Sequence, residues 1–427
     1  MPVGHRFHVS GTHRVPGDKS ITHRALMFAA LAPGHSVVGG ALTSLDARST
    51  ARVLRALGAT ISPLRADSVV EIRGRRRLTT PATVLQCGNS GTTARLMLGI
   101  LAGHRFPSTL SGDASLRRRP MRRVTAALAE MGAKIDDGGH DGLPLTIRGG
   151  RLGALKWNLP IASAQVKSAL LLAGAVGGVS VALRETAVTR DHTERMLGAN
   201  GFDVSRSDGW LRLEPTGAFH PVAMQVPGDP SSAAFLLAAI LLAEGGEARV
   251  AGVGLNPTRT GYLHVMARMG ATIAACDEEA PFGEPIGDLV SSPAPLRGVV
   301  VEPDEVPGII DEIPMLACLA ARAAGESRFR GVGELRVKES DRLALIVRNL
   351  RAVGAEAEAV GDDLLVRGGP GPFRGRVVTD GDHRIAMAFT VLGQTRGSRI
   401  VVDDPDCAAV SFPNFTGQLA ALYGRAG

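Results

Sequence analysis

The stretch "VPGDKSITHRALMFAALA" at residues 15 to 32 recurs as "VPGDPSSAAFLLAAILLA" at residues 226 to 243, with 8 of 18 letters shared. This repetition constrains the fold more than any other feature, because it belongs to a longer series. Helix-like stretches, each introduced by small or polar residues and then strongly apolar, begin near Asp18, Gly88, Ser163, Gly228, Asp311 and Gly381, at spacings of 70, 75, 65, 83 and 70 residues. A second phrase keeps the same beat: "VLRALGATI", "ALAEMGAKI", "MLGANGFDV", "VMARMGATI" and "NLRAVGAEA" each read as an amphipathic helix that ends in glycine before a short strand. Glycine at Gly58, Gly132, Gly201, Gly270 and Gly354 fits a left-handed helix C-cap.

Six units of about 70 residues follow from that period, which is too long for a solenoid. A helix that is apolar on every side must be buried, and three of them can pack beneath a wall of their own strands and outer helices. The chain is therefore expected to be an α/β (α+β) protein of two three-unit domains. The cut falls where "VPGD" recurs: residues 18–226 form one domain, residues 1–17 plus 227–427 the other, and a hinge lies at 14–17 and 226–229. A chain that crosses twice between domains suits hinge closure.

Composition narrows the function. No uninterrupted apolar run reaches the ~18 residues a membrane span needs, and "MPVGHRFHVSGTHR" lacks the apolar block of a secretory signal, so a cytoplasmic protein without membrane contact is expected. Cys87, Cys276, Cys318 and Cys407 form no CxxC pair, which suggests neither a disulfide framework nor a zinc site. A net charge of +7 favours anionic partners. Nucleic acid is disfavoured, since aromatic residues make up only 4% of the chain and single-strand binders need stacking platforms. The clusters "RGRRR" at 73 to 77 and "LRRRPMRR" at 116 to 123 read as solvated charge.

Lysine is rare: Lys19, Lys134, Lys156, Lys167 and Lys338 stand among 48 lysines and arginines. An ammonium is a compact charge that can transfer a proton, whereas a guanidinium keeps its own, so each remaining lysine raises a question. Lys19 opens a buried helix together with Ser20 and Arg24. A helix N-terminus already carries partial positive charge, so cations there are unfavourable unless an anion binds. The second copy has Pro230, Ala234 and Phe235 at the positions of Lys19, His23 and Arg24, and reads as ordinary buried helix.

Other helix starts carry similar groups. "GNSGTTAR" at 88 to 95 resembles a phosphate-cradling turn but lacks the lysine of a P-loop. In "SAQVKS", Ser163 and Gln165 suit a ligand or a plain N-cap. Arg119 precedes Pro120, a favoured first helical residue, and could aim at an anion, although Arg117 and Arg118 suggest a solvated run. Lys338, Glu339 and Arg342 of "RVKESDR" read alone as adjacent turns of a surface helix laced with ion pairs. Asp311 and Glu312 open an apolar helix, and "GDHR" places Asp382, His383 and Arg384 at the same point of the sixth unit. Taken together, several fixed cations and one or two carboxylates facing each other across a cleft suit a reaction between two small polyanions with proton transfer at carbon or hydroxyl.

The run "PGDKSITHRA", "GNSGTTARLMLGIL", "RRPM", "SAQVKSALLLAG", "RDHTERM", "GLNPTRTG", "IDEIP", "RVKESDR" and "GDHRIAMA" resembles, in order and over nearly the whole chain, the family of 5-enolpyruvylshikimate-3-phosphate synthases. The resemblance implies a two-domain inverted α/β barrel, each domain built of three βαβαββ repeats around buried helices. It implies that phosphoenolpyruvate and shikimate 3-phosphate become an enolpyruvyl ether plus phosphate through a tetrahedral intermediate, in a monomer that uses no metal or organic cofactor.

Carried over residue by residue, the resemblance gives Lys19, Ser20 and Arg24 to shikimate 3-phosphate, with Lys19 also reaching phosphoenolpyruvate. Gly91 and Arg119 become phosphoenolpyruvate contacts. Ser163, Ala164 and Gln165 match the shikimate-phosphate segment, with Gln165 between both substrates, and Arg190 assists with the phosphate. Asp311 becomes the base for the attacking hydroxyl, Lys338 orients the ring, Glu339 donates a proton to the methylene carbon, and Arg342 and Arg384 clamp phosphoenolpyruvate. Departures are Ala164 in place of a second serine and Val410 in place of a lysine before "SFP". The room at Gly91 implies inhibition by glyphosate. Two alternatives are the sister enzyme that acts on UDP-N-acetylglucosamine, whose reactive cysteine is missing from "SGDASLRRRP", and an RNA-processing or RNA-binding protein on a related repeat scaffold.

Overall fold

Capping residues place the apolar helices. In the computed structural model, which describes residues 7–66 and 68–424, these helices are Lys19–Leu31, Gly91–Ala102, Ala164–Gly177, Pro230–Leu241, Ile313–Arg322 and His383–Leu392. Before five of them the side chain of Asp18, Ser90, Ser163, Asp229 or Asp382 accepts a hydrogen bond from a first-turn N–H, a contribution of about 1 kcal/mol each. The amphipathic partners are Leu45–Ala56, Arg122–Glu130, His192–Ala199, Gly261–Arg268 and Arg342–Ala352. Behind them Gly58, Gly132, Gly201, Gly270 and Gly354 take φ values of 90° to 106°, a backbone shape that would strain any residue with a Cβ.

Among the described residues, five mixed sheets of four strands share one plan. In the sheet ordered Leu85–Gln86, Pro107–Ser111, Leu145–Arg148, Lys134–Asp136, the first pair is parallel and the others antiparallel. Leu110, Leu145 and Ile147 turn inward and are buried, as the period of two demands. Two sheets borrow a strand from far along the chain: Thr12–Arg14 pairs with Ala248–Gly254, and Ala223–Gln225 pairs with Gly34–Gly39, both in parallel.

The sixth repeat departs from the expected βαβαββ plan. Its sheet has only Arg374–Val377 and Arg399–Val402. The chain then forms a 3-10 turn, Pro405–Val410, and a helix, Phe415–Leu422. The residues there are aromatic and find a core instead of a sheet edge. Phe412 and Phe415 pack edge to face at 5.3 Å, Phe415 meets Phe235 at 6.1 Å, and the Tyr423 hydroxyl donates to the Ala239 carbonyl at 3.0 Å.

The chain divides into two compact units, one of Gly17–Val226 with Ala280–Glu284, the other of the residues up to Pro16, Pro227–Glu279 and those from Pro285 onward. Ala280–Glu284 was expected with the later residues. It joins the earlier ones because Arg195 donates to the Gly283 carbonyl at 2.9 Å and His192 meets Glu284 at 2.8 Å, both of the latter side chains buried. Each unit has its own core, around Phe28, Leu98 and Leu171 in the first and Leu237, Leu319 and Phe389 in the second. Burying each such side chain stabilises by roughly 1.5–3 kcal/mol. No helix among the described residues is long and apolar enough to cross a membrane.

Candidate active site

In the unit that contains Gly17–Val226, the helix Lys19–Leu31 carries the first cations. Lys19 and Ser20 are its opening residues, and Lys19 Nζ lies 3.5 Å from the carboxylate of Asp46. Arg24, one turn on, is buried. Its Nε donates to Thr193 Oγ1 at 2.7 Å, Nη2 to Ser168 Oγ at 2.8 Å and Nη1 to the Ser20 carbonyl at 2.9 Å. All three of these bonds end on neutral oxygens. Burial pulls Arg24 down to about 10 against the opposing pull of Glu194, Asp18 and Glu284, which still leaves it cationic at neutral pH.

A second group forms around Gly91. A Cβ placed there would lie 3.1 Å from Arg95 Nη1 and 3.3 Å from Arg119 Nη1, so the bare backbone leaves space beside two guanidinium groups. Arg95 Nη1 donates to Gln165 Oε1 at 2.5 Å, and Gln165 Nε2 donates to Thr92 Oγ1 at 3.0 Å. Arg119 Nη2 donates to Asn89 Oδ1 at 2.5 Å, and Asn89 is held in turn by Asp113 at 2.7 Å. Gly91, Arg119 and Gln165 thus come together with Arg95, Asn89 and Thr92.

Arg119 does not stand at a helix tip. The helix after it begins at Arg122, and Asp141 takes the N–H groups of Met121 and Arg122 at 2.6 and 2.7 Å, so Pro120 stays in the preceding loop. Ser163 is an N-cap, and Ala164 and Gln165 open its helix half-buried. Arg190 sits just ahead of His192–Ala199, near enough to Arg24 to lower the affinity of that guanidinium for its proton.

The other unit brings acids and bases into contact. Arg342, fully buried, reaches Asp382 at 2.9 Å, Glu339 at 2.6 Å and Asp311 at 3.5 Å. Arg384 lies 3.6 Å from Asp311 Oδ2 and donates to the Asp311 carbonyl at 3.0 Å. Asp311 is therefore flanked by two guanidinium groups. The segment "RVKESDR" is not a surface helix. Lys338, Glu339 and Ser340 form an irregular link between the 3-10 turn Gly333–Val337 and a helix that starts at Arg342 with Asp341 as its cap. The irregular backbone lets Glu339 and Ser340 point at Arg342 and Asp382, and Ser340 donates to Asp382 at 2.9 Å. Lys338 stands half-buried beside Glu339, and Val410 ends the turn Pro405–Val410.

Sequence reasoning missed several partners. Arg95 could have been found as the one cation in an otherwise apolar buried helix. Asp46 and Thr193 carry no local signal, since they meet Lys19 and Arg24 across 27 and 169 residues.

The two groups differ in charge. Lys19, Arg24, Arg95, Arg119 and Arg190 bring five cations to the first unit's helix starts and the loops beside them, which suits anionic ligands. Around Asp311, carboxylates and guanidinium groups alternate, which suits proton transfer beside bound charge.

Comparison with known proteins gives the family. The family described as EPSP synthase (3-phosphoshikimate 1-carboxyvinyltransferase) matches residues 5–419. The chain is 51% identical over 423 residues to the 3-phosphoshikimate 1-carboxyvinyltransferase of Gluconobacter oxydans, covering 97% of this chain and 95% of the relative. It is 45% identical over 421 residues to that of Herpetosiphon aurantiacus, with 97% of each covered. Among solved structures, an EPSP synthase from Acinetobacter baumannii superposes with a TM-score of 0.87 at 39% identity, over 98% of this chain and 96% of the other.

Proposed function

Since the chain belongs to the EPSP synthase family and carries out that enolpyruvyl transfer on the way to chorismate and the aromatic amino acids, we propose how its residues divide the work. Lys19, Ser20 and Arg24 hold shikimate 3-phosphate, with Ser163, Ala164, Gln165 and Arg190 around it. Lys19, Gly91 and Arg119 receive phosphoenolpyruvate, and Arg342 and Arg384 clamp its charges. Asp311 takes the proton of the attacking 5-hydroxyl, Glu339 delivers a proton to the methylene carbon, and Lys338 orients the ring. Each unit is read as an inverted α/β barrel around three buried helices, and the enzyme as cytoplasmic.

The chemistry requires these parts. Adding an alcohol to an enol phosphate means protonating the methylene carbon, which creates a cation-like centre, and removing the hydroxyl proton; loss of phosphate and of a proton from the new methyl group then gives the enol ether. Asp311 and Glu339 are separate carboxylates that touch different nitrogens of one guanidinium, at 3.5 and 2.6 Å, so one can take the hydroxyl proton while the other gives a proton to carbon. The cations offset the mutual repulsion of two phosphates and two carboxylates. The carrying observation is Asp311 between Arg342 and Arg384, a carboxylate base set against two anion-binding groups.

Calorimetric titration tests the assignment. Lys19→Met is expected to lose most of its affinity for shikimate 3-phosphate while remaining folded by circular dichroism. Wild-type affinity in that variant contradicts the placement of the shikimate phosphate.

A further inference from the structure

The helix start of the second "VPGD" copy is filled by the chain itself. Where the first copy has Lys19, the second has Pro230, and the cation over its cap comes from "NPTRTG" further on. Arg259 Nη2 donates to Asp229 Oδ1 at 3.1 Å and to Ser231 Oγ at 2.8 Å. Asp229 Oδ1 also accepts from the Ser231 N–H at 2.8 Å, which caps the helix. A hydroxyl has one hydrogen, and that of Ser231 goes to Glu312 Oε1. The same Glu312 oxygen lies 3.9 Å from Arg384 Nη1. Asp229, Ser231, Arg259 and Glu312 are all buried.

This makes a continuous polar chain, Asp229 to Arg259 to Ser231 to Glu312, that ends on Arg384. Burying a carboxylate and a guanidinium is unfavourable by several kcal/mol per ion, and the hydrogen bonds among Asp229, Ser231, Arg259 and Glu312 offset part of it while orienting the Glu312 carboxylate. Arg384 is then set between consecutive residues: its Nη1 donates to the Asp311 carbonyl at 3.0 Å and lies 3.9 Å from the Glu312 carboxylate.

We propose that Glu312 is a positioning residue, oriented by Ser231 and Arg259, that sets the direction in which the Arg384 guanidinium meets phosphoenolpyruvate. The proposal rests on the reading of Arg384 as a phosphoenolpyruvate contact.

Steady-state kinetics on the full-length enzyme tests both and tells them apart. The variants are Glu312→Gln, which keeps the shape and an oxygen for Ser231, Ser231→Ala, Arg384→Met, and the Glu312→Gln/Arg384→Met double. Arg384→Met is expected to raise the KM for phosphoenolpyruvate. Glu312→Gln is expected to raise it about three- to tenfold, the range typical of coupled neighbours, with kcat and the KM for shikimate 3-phosphate within about twofold of wild type. Ser231→Ala, which leaves every charge in place, is expected to move the phosphoenolpyruvate KM in the same direction. In the double variant Glu312→Gln adds nothing further, because its route to the substrate is gone; a purely structural role would add in full. Full additivity, or a wild-type KM in both Glu312→Gln and Ser231→Ala, overturns the proposal while the reading of Arg384 stands. An unchanged KM in Arg384→Met overturns that reading and the proposal with it.

Discussion

Arg342 Nε donates to Asp382 Oδ2 across 2.9 Å, and neither side chain is exposed to solvent at all. Burial alone pushes the Asp382 carboxyl up, but Arg342, aided by His383, outweighs it and holds the group below its usual 3.8. A carboxylate whose folded pKa is depressed contributes stability that is complete above its unfolded pKa and is lost as pH falls through the folded one. Asp382→Asn is therefore expected to lower stability by about 3–5 kcal/mol at neutral pH, the range for breaking a buried pair. It is also expected to lose less stability than wild type below about pH 4. Urea unfolding at both pH values measures this; equal stability at neutral pH contradicts it.

His23 behaves as a neutral spacer. Its Nδ1 meets Thr50 Oγ1 at 2.6 Å, Thr50 meets Thr93 at 2.6 Å, and Thr93 donates to Ser90 at 2.8 Å, so the ring ties three helices together. Burial first, then Lys19 and Arg24, lower its pKa to about 3. The folded state therefore binds fewer protons than the unfolded one between about pH 6.5 and 3, and the protein loses stability as pH drops through that window. His23→Asn is expected to flatten that slope. The His23 ring resonances are expected to stay at their neutral positions from pH 8 to pH 5, where an exposed histidine charges; titration near pH 6.5 contradicts the assignment.

Gly91 tests the proposed position of phosphoenolpyruvate. Its φ is not in the left-handed region and alanine suits a helix start, so Gly91→Ala is expected to fold normally. The new methyl group would press on Arg95 and Arg119 at 3.1 and 3.3 Å. The expected result is a rise of about tenfold in the KM for phosphoenolpyruvate, worth about 1.4 kcal/mol, together with weaker inhibition by glyphosate. Unchanged kinetics place the substrate elsewhere.

Lys167 answers the question its rarity raised, and the answer is structural. Its Nζ is fully buried, 2.9 Å from Glu185 and 2.8 Å from Glu194, and donates to the Thr189 carbonyl at 3.1 Å. Burial would push Glu185 up, but Lys167, Thr189 and Arg206 hold it below its usual range. Lys167→Met leaves two buried carboxylates short of a partner, so a loss of about 3–5 kcal/mol is expected. The KM for shikimate 3-phosphate is expected to rise as the segment before Arg190 shifts. Thermal unfolding and kinetics with unchanged values contradict this.

Periodic features were legible from the letters because each rests on local physics. The six apolar helices and the five left-handed glycines follow from hydrophobic spacing and from a backbone shape other residues avoid. What failed to show was long-range or irregular. Arg342 looks like one member of a charged surface run, yet three carboxylates, two of them from distant segments, surround it in the core. The tie from Lys19 to Asp46 and that from Arg24 to Thr193 exist only once separate helices pack. The aromatic residues of the sixth repeat carried the signal for its missing hairpin, but only the core they enter explains it.

The most direct test of the whole account is phosphate release from phosphoenolpyruvate, with and without shikimate 3-phosphate, by wild type and Asp311→Asn. Wild type is expected to release phosphate only when both substrates are present. Asp311→Asn is expected to stay folded and to fall at least about a hundredfold in kcat, the scale of a lost general base. A variant that turns over at the wild-type rate would show that the proton leaves by another route and that the carboxylate between Arg342 and Arg384 is not the base.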